Sequence, residues 1–208
     1  MNETQLQQIY LGKVEECLNR LKACEFFLNH IGTESIYSLE SAILQMRKAL
    51  ECVAYAAIAP NKKKYEELRA QADECPDFRK DFNARKILKM LLRINKGFYP
   101  IPLSPAIKIG PKKWHYPERE DKSLTMKNFS SFYDRLGKFL HADNPWGNDK
   151  GIKNLIKDIP EIMESIKLLL SFHSTNISTP QFRGAWVVEV PLNGEKPNII
   201  VGRAVGHP

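Results

Sequence analysis

The segment Tyr133-Asp134-Arg135-Leu136-Gly137-Lys138-Phe139-Leu140-His141 carries the residue types that proton transfer and charge stabilisation require. An imidazole titrates near neutral pH and can take a proton and return it. A guanidinium stays charged and matches phosphate oxygens with a fork of donors. Read as a helix with Asp134 at zero rotation, Ser130, Ser131, Asp134, Lys138 and His141 fall within about 60° of it on one polar face. Phe129, Phe132, Leu136, Phe139 and Leu140 lie opposite. His141 is therefore expected on a polar surface and not in the core. Asp134 lies about 10.5 Å along the axis from His141, too far for a relaxed direct bond. Arg135 and His141, six residues apart, point about 120° away from each other. A polar helix end that caps a turn with Asp143 and Asn144 would use the same residue types.

A second cluster sits on an earlier, strongly apolar helix. Glu40, Arg47 and Glu51 share an arc of about 40°, flanked by Leu44, Ala54 and Ile58. Charges in an apolar arc are unfavourable unless paired, and Arg47 and Glu51 have the spacing of an ion pair. Two readings follow. One is a structural ion-pair network. In the other, Arg47 or Glu40 points into the same cleft as His141 and, with Lys138 and Asn144, supports it.

The net charge of +7 favours anionic partners such as nucleic acid or acidic protein. Arg79, Arg85, Lys86, Lys89, Arg93 and Lys96 fall within an arc of about 120° if 77–95 is one helix. Such a face would track a phosphate backbone, or it is a solvated lysine-rich surface. Lys112, Lys113 and Trp114 interleave charge and aromatic area, as base-stacking surfaces do. An ordinary loop pinned by an aromatic plug has the same composition.

The elements that must position these groups are mostly helical. Leu6, Tyr10, Val14, Cys17, Leu21, Cys24 and Leu28 recur at spacings of three and four, and the helix should stop near Gly32. A broad apolar arc predicts a central helix over 37–59, closed by Pro60. Further helices are expected over 62–74, 77–95, 126–140 and 152–174, with Ser123 or Thr125 as N-cap of the fifth and Pro160 kinking the last. Five prolines make 97–123 an irregular loop. Residues 185–190 and 199–201 are β-branched around Asn193-Gly194, which predicts a C-terminal hairpin. The expected architecture is a mainly α, antiparallel helical bundle over 1–176 with a small β-hairpin appendage over 177–208.

Arg135-x5-His141 resembles the R-x(4–6)-H motif of the HEPN superfamily, helical domains common among bacterial toxins and antiphage systems. The stretches LQMRKALECVAYAAI, DFNARKILKMLLRIN, FYPIP and YDRLGKFLHADNPWG are also similar to a largely uncharacterised family of bacterial and prophage proteins. That similarity covers Tyr37 to Pro145, about half of the chain. The resemblance implies metal-independent RNA cleavage, with His141 as general acid or base and Arg135 as the phosphate clamp; Asp134, on the polar face with His141, joins them as a candidate catalytic residue. It also implies a homodimer whose two chains complete the site. Leu136 departs from the polar residue that often follows the arginine in active members. Tyr133-x-x-Leu136-x4-His141 is similar to HEPN-like helices that lack the arginine.

Other chemistries lack their signatures. There is no P-loop, dinucleotide fingerprint, H-E-x-x-H or G-x-S-x-G. Cys17, Cys24, Cys52 and Cys75 contain no C-x-x-C pair and read as reduced core thiols. No cofactor or metal is expected. The polar start MNETQLQQ and the absence of a long apolar run predict a cytoplasmic protein with no membrane segment. The expectation is an RNA-acting protein, either an endoribonuclease toxin or antiphage effector with a protein partner such as an antitoxin, or a non-catalytic module that binds nucleic acid or protein.

Overall fold

The structure, a computed structural model, describes residues 1–30, 35–72, 76–142, 146–147, 151–178, 183–191 and 195–203. Helix α1 (Glu3–Asn29) begins with a capping box in which Asn2 and Gln5 satisfy each other's backbone N–H. Its stripe Tyr10, Val14, Cys17, Leu21 and Cys24 is buried. It packs along α2 (Ser35–Ile58), which buries Ile43, Met46, Leu50 and Val53. The pair is antiparallel: Arg20 Nη1 donates to Gln45 Oε1 at 3.0 Å, and Lys13 lies over the Tyr55 ring.

Helix α3 (Lys62–Ala70) follows a short 3-10 turn at Ala59–Asn61. Helix α4 (Ala84–Ile94) starts where Asn83 accepts the Lys86 N–H at 3.0 Å, a standard N-cap bond. The expected single helix over 77–95 is therefore two pieces. Phe78–Lys80 forms a separate 3-10 turn, and Asp81-Phe82-Asn83 runs between them without helix. An N-cap needs extended backbone at Asn83, and that interrupts any helix arriving from Asp77. Helix α5 (Met126–Phe139) is capped by Thr125, whose hydroxyl accepts the Asn128 N–H at 3.2 Å.

Helix α6 (Ile152–Ser171), with Pro160 inside it, stops three residues before the expected end. The chain enters strand β4 (Phe172–Ser178) directly. Strands β5 (Arg183–Glu189) and β6 (Asn198–Arg203) follow, all antiparallel. A two-residue strand β1 (Ile101–Pro102) pairs with β4, so the sheet order is β1-β4-β5-β6. The expected hairpin appendage is thus half of a four-stranded sheet. The prolines of 97–123 do not make that stretch structureless. It also holds an exposed ribbon, β2 (Ile107–Gly110) paired with β3 (Lys113–His115). Prolines are compatible with edge strands and with turns: Pro102 lies in the edge strand β1 and Pro111 in the turn of the ribbon.

The fold is mostly helical, with a four-stranded antiparallel sheet and one further ribbon. The sheet's inner face is continuous with the helical core. Trp186 meets Tyr10 edge-on with ring centroids 5.8 Å apart, and His173, Thr175 and Val188 are fully buried beside them. Among the described residues, no helix is long and apolar enough to cross a membrane.

Candidate functional site

Helix α5 meets three neighbours, α2, α4 and α6, because successive residues face different ways. Tyr133 turns toward α2. There Arg47 Nη1 donates to the Tyr133 carbonyl at 3.1 Å, and Nη2 donates to Tyr133 Oη at 2.7 Å. The guanidinium carbon sits 3.9 Å from the ring centroid, a cation–π distance. Tyr133 Oη in turn donates to Glu51 Oε1 at 3.0 Å, and Arg47 Nε pairs with the same oxygen at 3.4 Å. Burial, and next the charge of Glu51, push the Tyr133 hydroxyl up to about 12, so it stays protonated and keeps donating. The arginine–glutamate pair expected from i,i+4 spacing is present, but a tyrosine from another helix closes it into a triangle.

Gly137, one turn after Tyr133, makes room for this arrangement. A Cβ at that position would come within 2.8 Å of Arg47 Nη1. A glycine within a helix is unfavourable by about 1 kcal/mol relative to alanine, and here the missing side chain leaves space for a guanidinium. The sequence held a signal for both residues: a glycine in the last turns of an amphipathic helix, four residues from a tyrosine. Neither stood out beside the charged residues.

Asp134 turns toward α4 and pairs with Arg85. Arg135 turns the other way, toward α6, and pairs with Asp158 beside Ser131 and Glu161. His141 lies just past the helix end, exposed, as does Lys138 in the last turn. Asp134 and Arg135 are therefore held by different partners on different sides of α5. Arg135 is occupied on a different side of α5, as the 120° offset requires. Glu40 is exposed on α2 and forms no part of the Arg47–Glu51–Tyr133 triangle. Asn144, with Asp143, lies outside the described residues.

The candidate phosphate-tracking residues divide into three groups. Arg85, Lys86, Lys89 and Arg93 are exposed on α4, while Ala84, Ile87, Leu88 and Leu91 of that helix are buried. Arg79 belongs to the preceding 3-10 turn, where it is clamped onto Asp77 by a bond of 2.8 Å from Nε and one of 3.0 Å from Nη2. It leaves the α4 face because the helix is interrupted at Asp81–Asn83. Lys112, Lys113 and Trp114 are exposed on the β2–β3 ribbon; Lys112 takes the left-handed backbone conformation at the turn (φ 57°), and Trp114 pairs opposite Lys108.

Cys17, Cys24 and Cys52 are free and buried, and burial pushes the thiols of Cys24 and Cys52 up to about 12. A thiol so protonated is a poor nucleophile. Cys75 lies outside the described residues. Among the described residues, no group of three His, Cys, Asp or Glu side chains is placed to hold a metal ion.

Comparison of the chain with protein-family models, with curated proteins and with solved structures finds no match.

Proposed function

We propose that this chain is a HEPN-like RNA-acting protein, a metal-independent endoribonuclease with His141 as its acid–base group. What supports the reading is the exposed cationic face of α4 and its ion pair with α5. The cationic face of α4 meets α5 through Arg85–Asp134. The same face of α5 carries exposed Lys138 in the last turn, and exposed His141 follows two residues past the helix end. A polyanion lying along α4 would be led to an imidazole by electrostatic attraction.

The chemistry balances with RNA alone. His141 in its neutral form takes the proton of a 2′-hydroxyl. The 2′-oxygen then bonds to the adjacent phosphorus and the bond from phosphorus to O5′ breaks. The imidazolium returns the proton to O5′, leaving a 2′,3′-cyclic phosphate and a 5′-hydroxyl. A homodimer, in which the partner adds a further cationic surface, fits the same reading, as does a protein partner that restrains the activity.

A second reading is a non-catalytic nucleic-acid-binding module. It is favoured by the Arg135–Asp158 pair, which holds the motif arginine away from the motif histidine. Incubating the protein and a His141→Ala variant with RNA in EDTA separates the two. Cleavage by the parent that the variant lacks is the expected result. Binding by both proteins without cleavage would leave the module reading in place of the nuclease.

A further inference from the structure

We infer that the β2–β3 ribbon is a nucleic-acid contact of its own, which stacks a base of single-stranded RNA on Trp114 and holds the adjoining phosphates on Lys108, Lys112 and Lys113. This rests on the RNA-acting reading above and names its substrate class, a single strand in preference to a duplex.

The ribbon is built as a fixed stem with an open arm. Its two legs are tied together where the Ser104 N–H donates to the Pro117 carbonyl and the Arg119 N–H to the Pro102 carbonyl, each at 2.8 Å. The stem is tied to the body as well. Leu103 is buried, and its N–H donates to the Phe172 carbonyl at 2.9 Å. The Tyr116 ring lies against Phe172 with centroids 6.1 Å apart. Beyond the stem, every residue from 105 to 115 except Gly110 is exposed. A two-stranded ribbon with neither face on a core is marginal in water. Ile107, Ile109 and Trp114, all more than half exposed, therefore contribute little to the fold and are open to a partner.

The register sorts the side chains. Residues paired across an antiparallel ribbon project from the same face with their Cβ atoms about 5 Å apart. Trp114 stands opposite Lys108, so one face carries an indole beside an ammonium. Ile107 stands opposite His115, and Lys113 shares that second face at period two. A base laid on the indole leaves its phosphate to the neighbouring flexible lysine.

Charge decides the kind of partner. Residues 104–117 hold three lysines and no Asp or Glu. Among the described residues none of these lysines is in an ion pair, whereas Arg85, Arg119 and Arg135 are. Unneutralised ammonium groups beside an exposed aromatic ring make a stacking platform with a phosphate track. A duplex keeps its bases paired and stacked, and its A-form major groove is too deep and narrow for side chains to read. The indole gains a base only from a single strand. An anionic membrane surface would use similar residue types, but the turn here is Pro111-Lys112, and tip-first insertion would carry lysine into hydrocarbon.

The test measures fluorescence anisotropy with the full-length protein and a short 2′-O-methyl oligoadenylate, which has no free 2′-hydroxyl to attack, alone and paired with its complement. The variants are Trp114→Leu, Trp114→Phe and the triple Lys108→Gln, Lys112→Gln, Lys113→Gln. Trp114→Leu should weaken single-strand binding by about tenfold, the size of one stacked base, with the salt dependence and the melting temperature unchanged. Trp114→Phe should recover most of the affinity, and duplex binding should be the same in all three proteins that keep the lysines. The triple variant should lower the slope of log K against log salt on the single strand by about 2. Parental single-strand affinity in Trp114→Leu, or an equal loss on the duplex, overturns the assignment. So does binding to phosphatidylserine vesicles that Trp114→Leu abolishes while RNA binding holds, which would give the ribbon to a membrane surface. A parent that binds neither form yet cleaves RNA in EDTA overturns the ribbon site alone, and one that neither binds nor cleaves overturns the RNA-acting reading with it.

Discussion

Tyr10 of α1 and His173 of β4, 163 residues apart, share a 2.7 Å hydrogen bond in the fully buried core. His173 Nδ1 faces the Leu170 carbonyl at 3.0 Å, and a carbonyl only accepts. Nδ1 therefore carries the hydrogen, and Nε2 accepts from the Tyr10 hydroxyl. This bond ties the first helix to the sheet at the point where α6 turns into strand.

A pH dependence follows from that site. Burial lowers His173 from its ordinary value of 6.5 to about 4. The unfolded chain then binds a proton near pH 6.5 that the folded chain refuses until about pH 4. Stability is full above pH 6.5 and falls as pH drops from 6.5 to 4, by roughly 3 kcal/mol from this group. Urea melts across that range should show the slope, and His173→Gln should flatten it. An equal slope in the variant would mean that other groups carry the dependence.

Removing the Tyr133 hydroxyl should matter, because both of its partners are largely buried. Tyr133→Phe keeps the ring under Arg47 but deprives Arg47 Nη2 of its acceptor and Glu51 of its donor. We expect a loss of about 1–3 kcal/mol. Differential scanning calorimetry reads this directly, and an unchanged melting temperature would show that water replaces both bonds.

The Arg135–Asp158 pair should contribute little to stability. The two side chains are 34% and 46% exposed, and pairs so open to solvent are worth at most about 1 kcal/mol. Arg135→Gln should melt within about 1 kcal/mol of the parent, and less than that in high salt. A loss of several kcal/mol would reveal a structural role that the exposure does not suggest.

Neutralising α4 should weaken RNA binding without regard to base sequence. Lys86, Lys89 and Arg93 project from the side opposite the buried Ile87 and Leu91. Each phosphate contact contributes about 0.7 to the slope of log K against log salt on single strands. The triple alanine variant should lower that slope by about 2, measured by fluorescence anisotropy between low and moderate salt. An unaltered slope would place the nucleic acid elsewhere, with the exposed ribbon around Trp114 the next surface to test.

Much of the fold was legible because local rules decide it. The stripes at spacings of three and four placed α2 and α5 within a residue or two and picked out the buried face of α1. The interruption before α4 was hidden because charge periodicity over 77–95 continues across Asn83, while the cap that breaks the helix is a single side-chain bond. Strand β4 was hidden too. Its inward residues His173, Thr175 and Ile177 alternate at period two, but they directly follow an apolar helical run whose period extends smoothly into Phe172.

The candidate site shows the same division. The sequence by itself determined that His141 would be exposed on a polar face, that Arg135 would point elsewhere, and that Arg47 could pair with Glu51. These follow from 100° per residue and from the cost of unpaired charge in an apolar arc. Only the tertiary structure decided which helices meet. It set Tyr133 over Arg47, left Gly137 open to the guanidinium, and turned Arg135 onto Asp158. Residues 86 positions apart meet through packing between elements, and no periodicity within either element encodes that contact.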